Sequence, residues 1–125
     1  MRLINLDNYN NPKLKKMMNN DGYETYSNGY VFVDKKEILG YVLLKKNMID
    51  WIHAKPGYGT ELLKRVERIL FKKYSKIILK LSIDPTELKS TVLRRINFYI
   101  KNKYRVSDIK FRKKYGPIMT MFKKK

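Results

Sequence analysis

Lys55-Pro56-Gly57-Tyr58-Gly59-Thr60-Glu61-Leu62-Leu63 is the stretch on which the reading of this chain turns. Proline lacks an N–H donor and glycine favours positive φ, so residues 55–59 cannot prolong a strand. A helix is expected to open near Thr60. Leu62, Leu63, Val66, Ile69 and Leu70 fall on one helical face, while Lys64, Arg65, Glu67, Arg68 and Lys72 lie elsewhere. Before the turn, Tyr30 to Val33, a turn at Asp34-Lys35-Lys36, Ile38 to Leu44, a turn at Asn47 and Met48 to Ala54 read as three successive antiparallel strands. A glycine-rich turn between a strand and a helix suits phosphate. The first helical N–H groups lack internal partners, the macrodipole adds positive charge, and glycine admits close approach. Gly-x-Gly alone also serves as an ordinary structural turn. Dinucleotide and P-loop fingerprints are absent, since no third glycine follows at the required spacing and no Gly-Lys-Ser/Thr occurs here.

Working outward, Met1 to Leu6 reads as a short strand, and residues 7–28 as loop with one short helix from Pro12 to Met18. Downstream, Ile77 to Ile83 is strongly β-forming and puts Ile77, Leu79, Leu81 and Ile83 on one side. Asp84-Pro85-Thr86-Glu87 predicts a helix start, with Asp84 as cap, Pro85 at the first helical position and Glu87 closing a capping box. Leu88, Val92, Ile96, Tyr99 and Ile100 supply its apolar stripe, and it should end near Asn102. Tyr104 to Arg112 and Ile118 to Phe122 then form a terminal hairpin across a Gly116-Pro117 turn. The expected order is β, short α, βββ, α, β, α, ββ, an α+β fold spanning residues 1–125 as one domain.

Composition narrows the chemistry. The chain has 125 residues, 43% of them apolar, enough for a core. Cysteine is absent, which excludes disulfides, thiolate metal sites and a cysteine nucleophile. His53 is the single histidine, so no metal site is expected. There is no apolar run of membrane-spanning length and no signal-peptide pattern, so the expectation is a soluble intracellular protein, cytoplasmic by default. The formal net charge is +18 and uneven: residues 1–54 carry 8 basic and 6 acidic side chains, net +2, and residues 55–125 carry 21 and 5, net +16. Such a field attracts nucleic acid, anionic surfaces or a phosphorylated cofactor. A Lys-, Asn- and Ile-rich codon bias yields the same composition.

The order of elements, with Gly-x-Gly closing the fourth strand and opening the next helix, resembles the GNAT superfamily of N-acetyltransferases. Gly57-Tyr58-Gly59-Thr60-Glu61-Leu62-Leu63 is similar to the family's GxG(S/T)xLL stretch, and Phe98-Tyr99-Ile100-Lys101-Asn102-Lys103-Tyr104 to its FYxxxGF stretch. The resemblance covers about residues 28–123. Ala54 stands where the family usually has Gln or Arg, and Lys103 where it has glycine. The resemblance implies a mixed, mostly antiparallel central sheet flanked by helices, and acetyl-CoA as co-substrate. Contacts to it are expected from Ile52, His53, Ala54, Lys55, Gly57, Tyr58, Gly59, Thr60 and Tyr99, with Lys55 offering charge in place of Ala54.

Acetyl transfer to an amine needs a neutral nucleophile, a stabilised carbonyl oxygen and a proton for the departing thiolate. Tyr99 occupies the position from which the family often donates that proton; it also lies near its helix's apolar stripe, where it would simply pack. His53 is the candidate base, since imidazole titrates near neutrality. Asp50 is its rival, and strand alternation puts the two on opposite faces unless a bulge intervenes. Trp51 shares the His53 face and is read as packing. Tyr23, Tyr26 and Tyr30 are candidates to line the acceptor site. The carboxylates Asp7, Asp21, Glu24, Asp34, Glu37 and Asp50 gather in the first half, and the acceptor is expected to be a primary amine, with a protein or peptide amine favoured. Two alternatives stand beside this reading. One is a basic nucleic-acid-binding protein using Tyr104, Phe111, Tyr115 and Phe122; the other is a GNAT-like fold that binds coenzyme A without catalysis.

Overall fold

The computed structural model describes residues 1–23, 25, 26, 28–114 and 116–125. It contains strands β1 (Arg2–Asn5), β2 (Gly29–Asp34), β3 (Glu37–Lys45), β4 (Met48–Ala54), β5 (Lys76–Ser82), β6 (Arg105–Arg112) and β7 (Gly116–Lys124). The helices are α1 (Pro12–Asn20), α2 (Gly59–Leu70) and α3 (Lys89–Lys101), with a 3-10 turn at Leu6–Asn8. The fold is α+β, mostly antiparallel, in the order the sequence predicts. The chain forms two compact units, Met1–Ile69 and Leu70–Lys125. No helix among the described residues is long and apolar enough to cross a membrane.

In the first unit, β1 to β4 pair antiparallel in chain order. The two tight connections place lysines in the left-handed region, Lys35 at φ 55° and Lys46 at φ 56°. Ile38 through Leu44 are all buried, so β3 is covered on both faces. One face carries Val31, Val33, Ile38, Tyr41 and Leu43 against Leu14 and Met18 of α1. The other receives α2, whose Leu62, Leu63 and Val66 have no exposed surface. Arg65 of α2 lies 5.3 Å above the Phe32 ring. Gly40 is required by this packing, since a Cβ there would lie 2.9 Å from the Cα of Ala54 and 3.2 Å from Cδ2 of Leu62.

In the second unit, β7 lies between β5 and β6, antiparallel to both. Two expectations are corrected here. The helix begins at Lys89, not at Asp84-Pro85. The Asp84 carboxylate accepts from the backbone N–H of Thr86 at 2.9 Å and from its hydroxyl at 2.7 Å, closing a local turn that competes with helix. Glu87 closes no capping box; it pairs with Arg95 at 2.7 Å. Nor is Gly116-Pro117 the hairpin turn. Gly116, at φ 75°, already pairs with Arg112, and Pro117 with Phe111. The turn comes earlier, and Lys113 and Lys114 lie in it.

Candidate active site

The site in the first unit is built by the way α1 ends. Asn11 caps its start, accepting from Lys13 N–H at 2.8 Å, and Pro12 takes the first helical position. At the other end the N–H of Gly22 bonds the Asn19 carbonyl at 3.0 Å, and that of Tyr23 bonds Met18 at 2.8 Å. This is a Schellman closure, with Gly22 at φ 86° in the left-handed position. It extends α1 two residues past the sequence-based expectation and fixes Asp21 at the helix C-terminus.

Asp21 gathers three donors from two strands. Its Oδ2 accepts from the Tyr41 hydroxyl, from Trp51 Nε1 at 3.3 Å, and from His53 Nδ1 at 2.7 Å. A helix C-terminus disfavours an anion, and burial also raises the carboxyl pKa. The bonds from Tyr41, His53 and Trp51, together with the charge of His53, outweigh burial and leave the pKa below the usual carboxylate value. An ionised carboxylate only accepts, so Nδ1 of His53 is the donor of this bond. The imidazole stacks on Tyr41, with ring centroids 5.6 Å apart. The His53 side chain is 37% exposed against 18% for Asp21, so the ring is reachable while its anchor is shielded. Burial, then the Asp21 hydrogen bond, pushes the Tyr41 phenol far above its ordinary value.

Asp50 joins the same cluster. The β3–β4 register passes from Leu43↔Trp51 to Leu44↔Ile49, leaving Asp50 as the extra residue of a bulge. The bulge that the sequence reading named as the exception to simple alternation of Asp50 and His53 is therefore present. Asp50 accepts from the Tyr26 hydroxyl at 2.6 Å, the Tyr26 ring meets Tyr23 edge-on at 6.2 Å, and Tyr23 lies over Trp51 at 5.2 Å. Burial first, then the bond to Asp50, pushes the Tyr26 phenol up to about 12. Trp51 packs as expected and also donates to Asp21.

Not every expected lining residue converges. Tyr30 pairs with Val42, on the face of β2 and β3 opposite Val31 and Tyr41, away from Tyr23 and Tyr26. Of the six early carboxylates, Asp34 pairs with the chain's amino group at 3.7 Å and Glu37 with Lys55 at 2.9 Å. Asp7 lies exposed in the 3-10 turn, and Glu24 falls outside the described residues. Sequence reasoning missed Tyr41 altogether and missed Asp21 as the partner of His53. The Asp21-Gly22 pair is the local signal for the helix end, but nothing local signals what the carboxylate meets.

The glycine turn leaves β4 directly. Ile52, His53 and Ala54 pair with Val42, Tyr41 and Gly40 of β3. Lys55 N–H bonds the Leu39 carbonyl at 2.8 Å, so by strand alternation the N–H groups of Ile52 and Ala54 point away from β3. The Tyr58 N–H bonds the Lys55 carbonyl at 3.1 Å, Gly57 sits at φ 90°, and the Tyr58 carbonyl takes the first helical bond, from Leu62 at 3.0 Å. The N–H groups of Gly59, Thr60 and Glu61 thus open α2 without acceptors inside the helix. A Cβ built on Gly57 meets nothing within 4 Å, so the turn's outer side is open. Lys55 is held by Glu37, and Glu61 by Arg65 at 2.8 Å.

Tyr99 lies in the second unit, at the end of α3. Tyr104 N–H bonds the Tyr99 carbonyl at 3.0 Å and Lys103 N–H bonds Ile100 at 3.0 Å, a second Schellman closure. Lys103 occupies its left-handed position at φ 74°, which explains why the similar motif usually has glycine there. The closure brings the Tyr104 ring edge-on to Tyr99, with centroids 5.7 Å apart. Tyr99 is 5% exposed, and burial raises its phenol well above the ordinary value.

No known family pattern and no curated protein matches this sequence. Solved structures do match. The chain superposes on the spermidine/spermine N-acetyltransferase SpeG of Vibrio cholerae with a TM-score of 0.60 at 15% identity, covering 90% of this chain and 75% of that one. The apo form of YjaB from Escherichia coli gives 0.60 at 14%, covering 86% and 74%. The ribosomal-protein-alanine N-acetyltransferase of Brucella melitensis gives 0.57 at 12%, covering 90% and 75%. The chain therefore has the fold of the GNAT acetyltransferases.

Proposed function

We propose that this protein is an N-acetyltransferase that moves the acetyl group of acetyl-CoA directly to a primary amine, with residues 1–125 acting as one catalytic domain. The observation that carries the reading is the open turn Gly57-Tyr58-Gly59 at the start of α2, one strand-end away from an imidazole held by a carboxylate. The N–H groups of Gly59, Thr60 and Glu61 and the helix dipole suit the coenzyme's pyrophosphate, with Lys55 and Tyr58 flanking it. The outward N–H groups of Ile52 and Ala54 suit the pantetheine arm and the thioester oxygen.

Reaction follows from protonation states. A free alkylammonium has a pKa near 10.4 and must lose a proton before it attacks. Nε2 of His53 takes that proton, directly or through water, and Asp21 steadies the imidazolium that forms. The amine nitrogen bonds to the thioester carbon, the C–S bond breaks, the thiolate takes a proton from the Tyr99 hydroxyl, and the proton the nitrogen sheds on becoming an amide restores Tyr99 through water. Asp50 and Asp21, with the rings of Tyr23, Tyr26 and Trp51, offer an incoming ammonium two anions and aromatic faces. A protein or peptide amine is the favoured acceptor.

The test is a screen of peptide, polyamine and small amines with labelled acetyl-CoA, read by mass spectrometry. Transfer to a primary amine supports the reading. Coenzyme binding with no transfer to any amine would reduce the protein to a non-catalytic coenzyme A binder.

A further inference from the structure

Between residues 70 and 125 the chain carries 17 Lys and Arg against 3 Asp and Glu, a net of 17 − 3 = +14. The cross-strand register sorts these charges. Lys76 faces Lys124, Ile78 faces Phe122 and Lys80 faces Thr120 across β5 and β7. Arg105 faces Phe122, Lys110 faces Ile118 and Arg112 faces Gly116 across β6 and β7, with Ser107 bulged out. Directly paired residues share a face of a sheet. One face therefore carries Lys76, Lys80, Lys124, Arg105, Lys110 and Arg112 along its length, with Phe122 beside Arg105 and Lys124, and Asp108 is the one carboxylate of these strands on it. The other face carries Ile77, Leu79, Met119 and Met121, all buried.

The cationic face is open to solvent, since Lys76, Lys80, Arg105, Lys110 and Lys124 are all exposed. At the sheet end where Arg105 and Phe122 pair, a depression of about 360 Å³ is lined by Lys103, Arg105, Phe122 and Lys124, with Lys123 reaching it from the other face. Lys76 lies 5.2 Å from the Phe122 ring centroid. A lysine-rich codon bias fills exposed positions with lysine but does not cluster them around a half-buried aromatic in a hollow. Cations alone suit any polyanion. A ring set among them suits a ligand that pairs each phosphate with a base able to stack, and only an unpaired base offers its face.

We propose that the open face of the β5-β7-β6 sheet binds single-stranded nucleic acid, with Phe122 stacking a base and Lys80, Arg105, Lys110 and Lys124 tracking the phosphates. Nucleic-acid binding here does not rest on the proposed acetyl transfer. Of the other aromatics expected in such a site, Tyr115 lies outside the described residues, Tyr104 is buried, and Phe111, 83% exposed, falls on the opposite face.

Fluorescence anisotropy of the full chain with a labelled single-stranded oligonucleotide of about 12 nucleotides tests the proposal. Affinity should fall as salt rises from roughly 50 to 200 mM, with a log–log slope of about −0.7 per phosphate contacted. Lys80→Glu with Lys110→Glu, both exposed and harmless to folding, should weaken binding about 10-fold or more and flatten that slope. Phe122→Leu keeps the apolar bulk and should weaken binding about 10-fold at unchanged slope. A duplex of the same sequence should bind more weakly. No binding at the lower salt, equal affinity for the duplex or for poly-glutamate, or indifference to both the charge reversal and Phe122→Leu would each overturn the proposal.

Discussion

Nδ1 of His53 lies 2.7 Å from Oδ2 of Asp21, a residue thirty-two positions earlier in the chain, at 32 residues of separation. This pairing orients the imidazole and supports its proposed role as the base. It makes Nδ1 the donor of the bond and leaves the other nitrogen for an incoming amine. His53→Ala should lower kcat by about 10²–10⁴-fold, the usual worth of a general base. Asp21→Asn, which keeps the shape and removes the charge, should lower kcat by about 10-fold or more while coenzyme affinity by calorimetry stays unchanged. Wild-type kcat in both variants would make the pair purely structural.

Acid should weaken the same cluster. The Asp21 carboxyl is lowered in the folded chain, so the stability it contributes is complete above its unfolded value of about 3.9 and is lost as pH falls through the lowered folded value. Thermal melts of wild type and Asp21→Asn should therefore differ at pH 7 and converge in strong acid.

Alkali tests the phenols. Tyr26 is raised to about 12, and Tyr41 and Tyr99 are raised further, in each case first by burial. A raised phenol contributes stability that is complete below the unfolded pKa of about 10 and is lost as pH rises through the folded value. Absorbance titration near pH 11 should show these three phenols still protonated. Full ionisation of all ten tyrosines by that pH, with the fold intact, would contradict the packing described.

Much of this architecture is legible in the sequence because it rests on local signals. The alternating run from Tyr30 to Ala54 and the Pro56-Gly57 break mark the strands and the turn, and β4 falls on the expected residues, Met48–Ala54. The site is less legible because it rests on contacts far apart in sequence. Asp21 reaches His53 only after Gly22 closes α1 and Tyr41 arrives from β3. The bulge that turns Asp50 toward Tyr26 leaves no composition signature at all. The expected helix start at Asp84 fails for a different reason: Asp-Pro-Thr suits a cap and a local turn equally, and the bonds from the Thr86 N–H and hydroxyl close the turn.

Tyr99→Phe removes only a hydroxyl from a ring held by Tyr104. If Tyr99 supplies the thiolate's proton, kcat should fall about 10²-fold or more with little change in melting temperature. An unchanged rate would remove the acid role and leave the packing role.

Lys103 adopts φ 74° at the closure of α3, a conformation that costs an L-residue about 1–2 kcal/mol. Lys103→Gly should relieve most of that strain and raise stability by about 1 kcal/mol in denaturant unfolding. A loss of stability would show that the lysine side chain contributes more than its backbone costs.

The central claim is that the turn at Gly57-Tyr58-Gly59 holds a coenzyme. Gly57 sits at φ 90° with open space beside it, so Gly57→Val strains the turn by about 1–2 kcal/mol and fills the phosphate's approach without touching the core. Calorimetric titration of acetyl-CoA into wild type and Gly57→Val is the most direct measurement. One site per chain in wild type, with affinity lowered at least 10-fold in the folded variant, is the predicted result. No saturable binding to wild type, or equal affinity in both proteins, would contradict it.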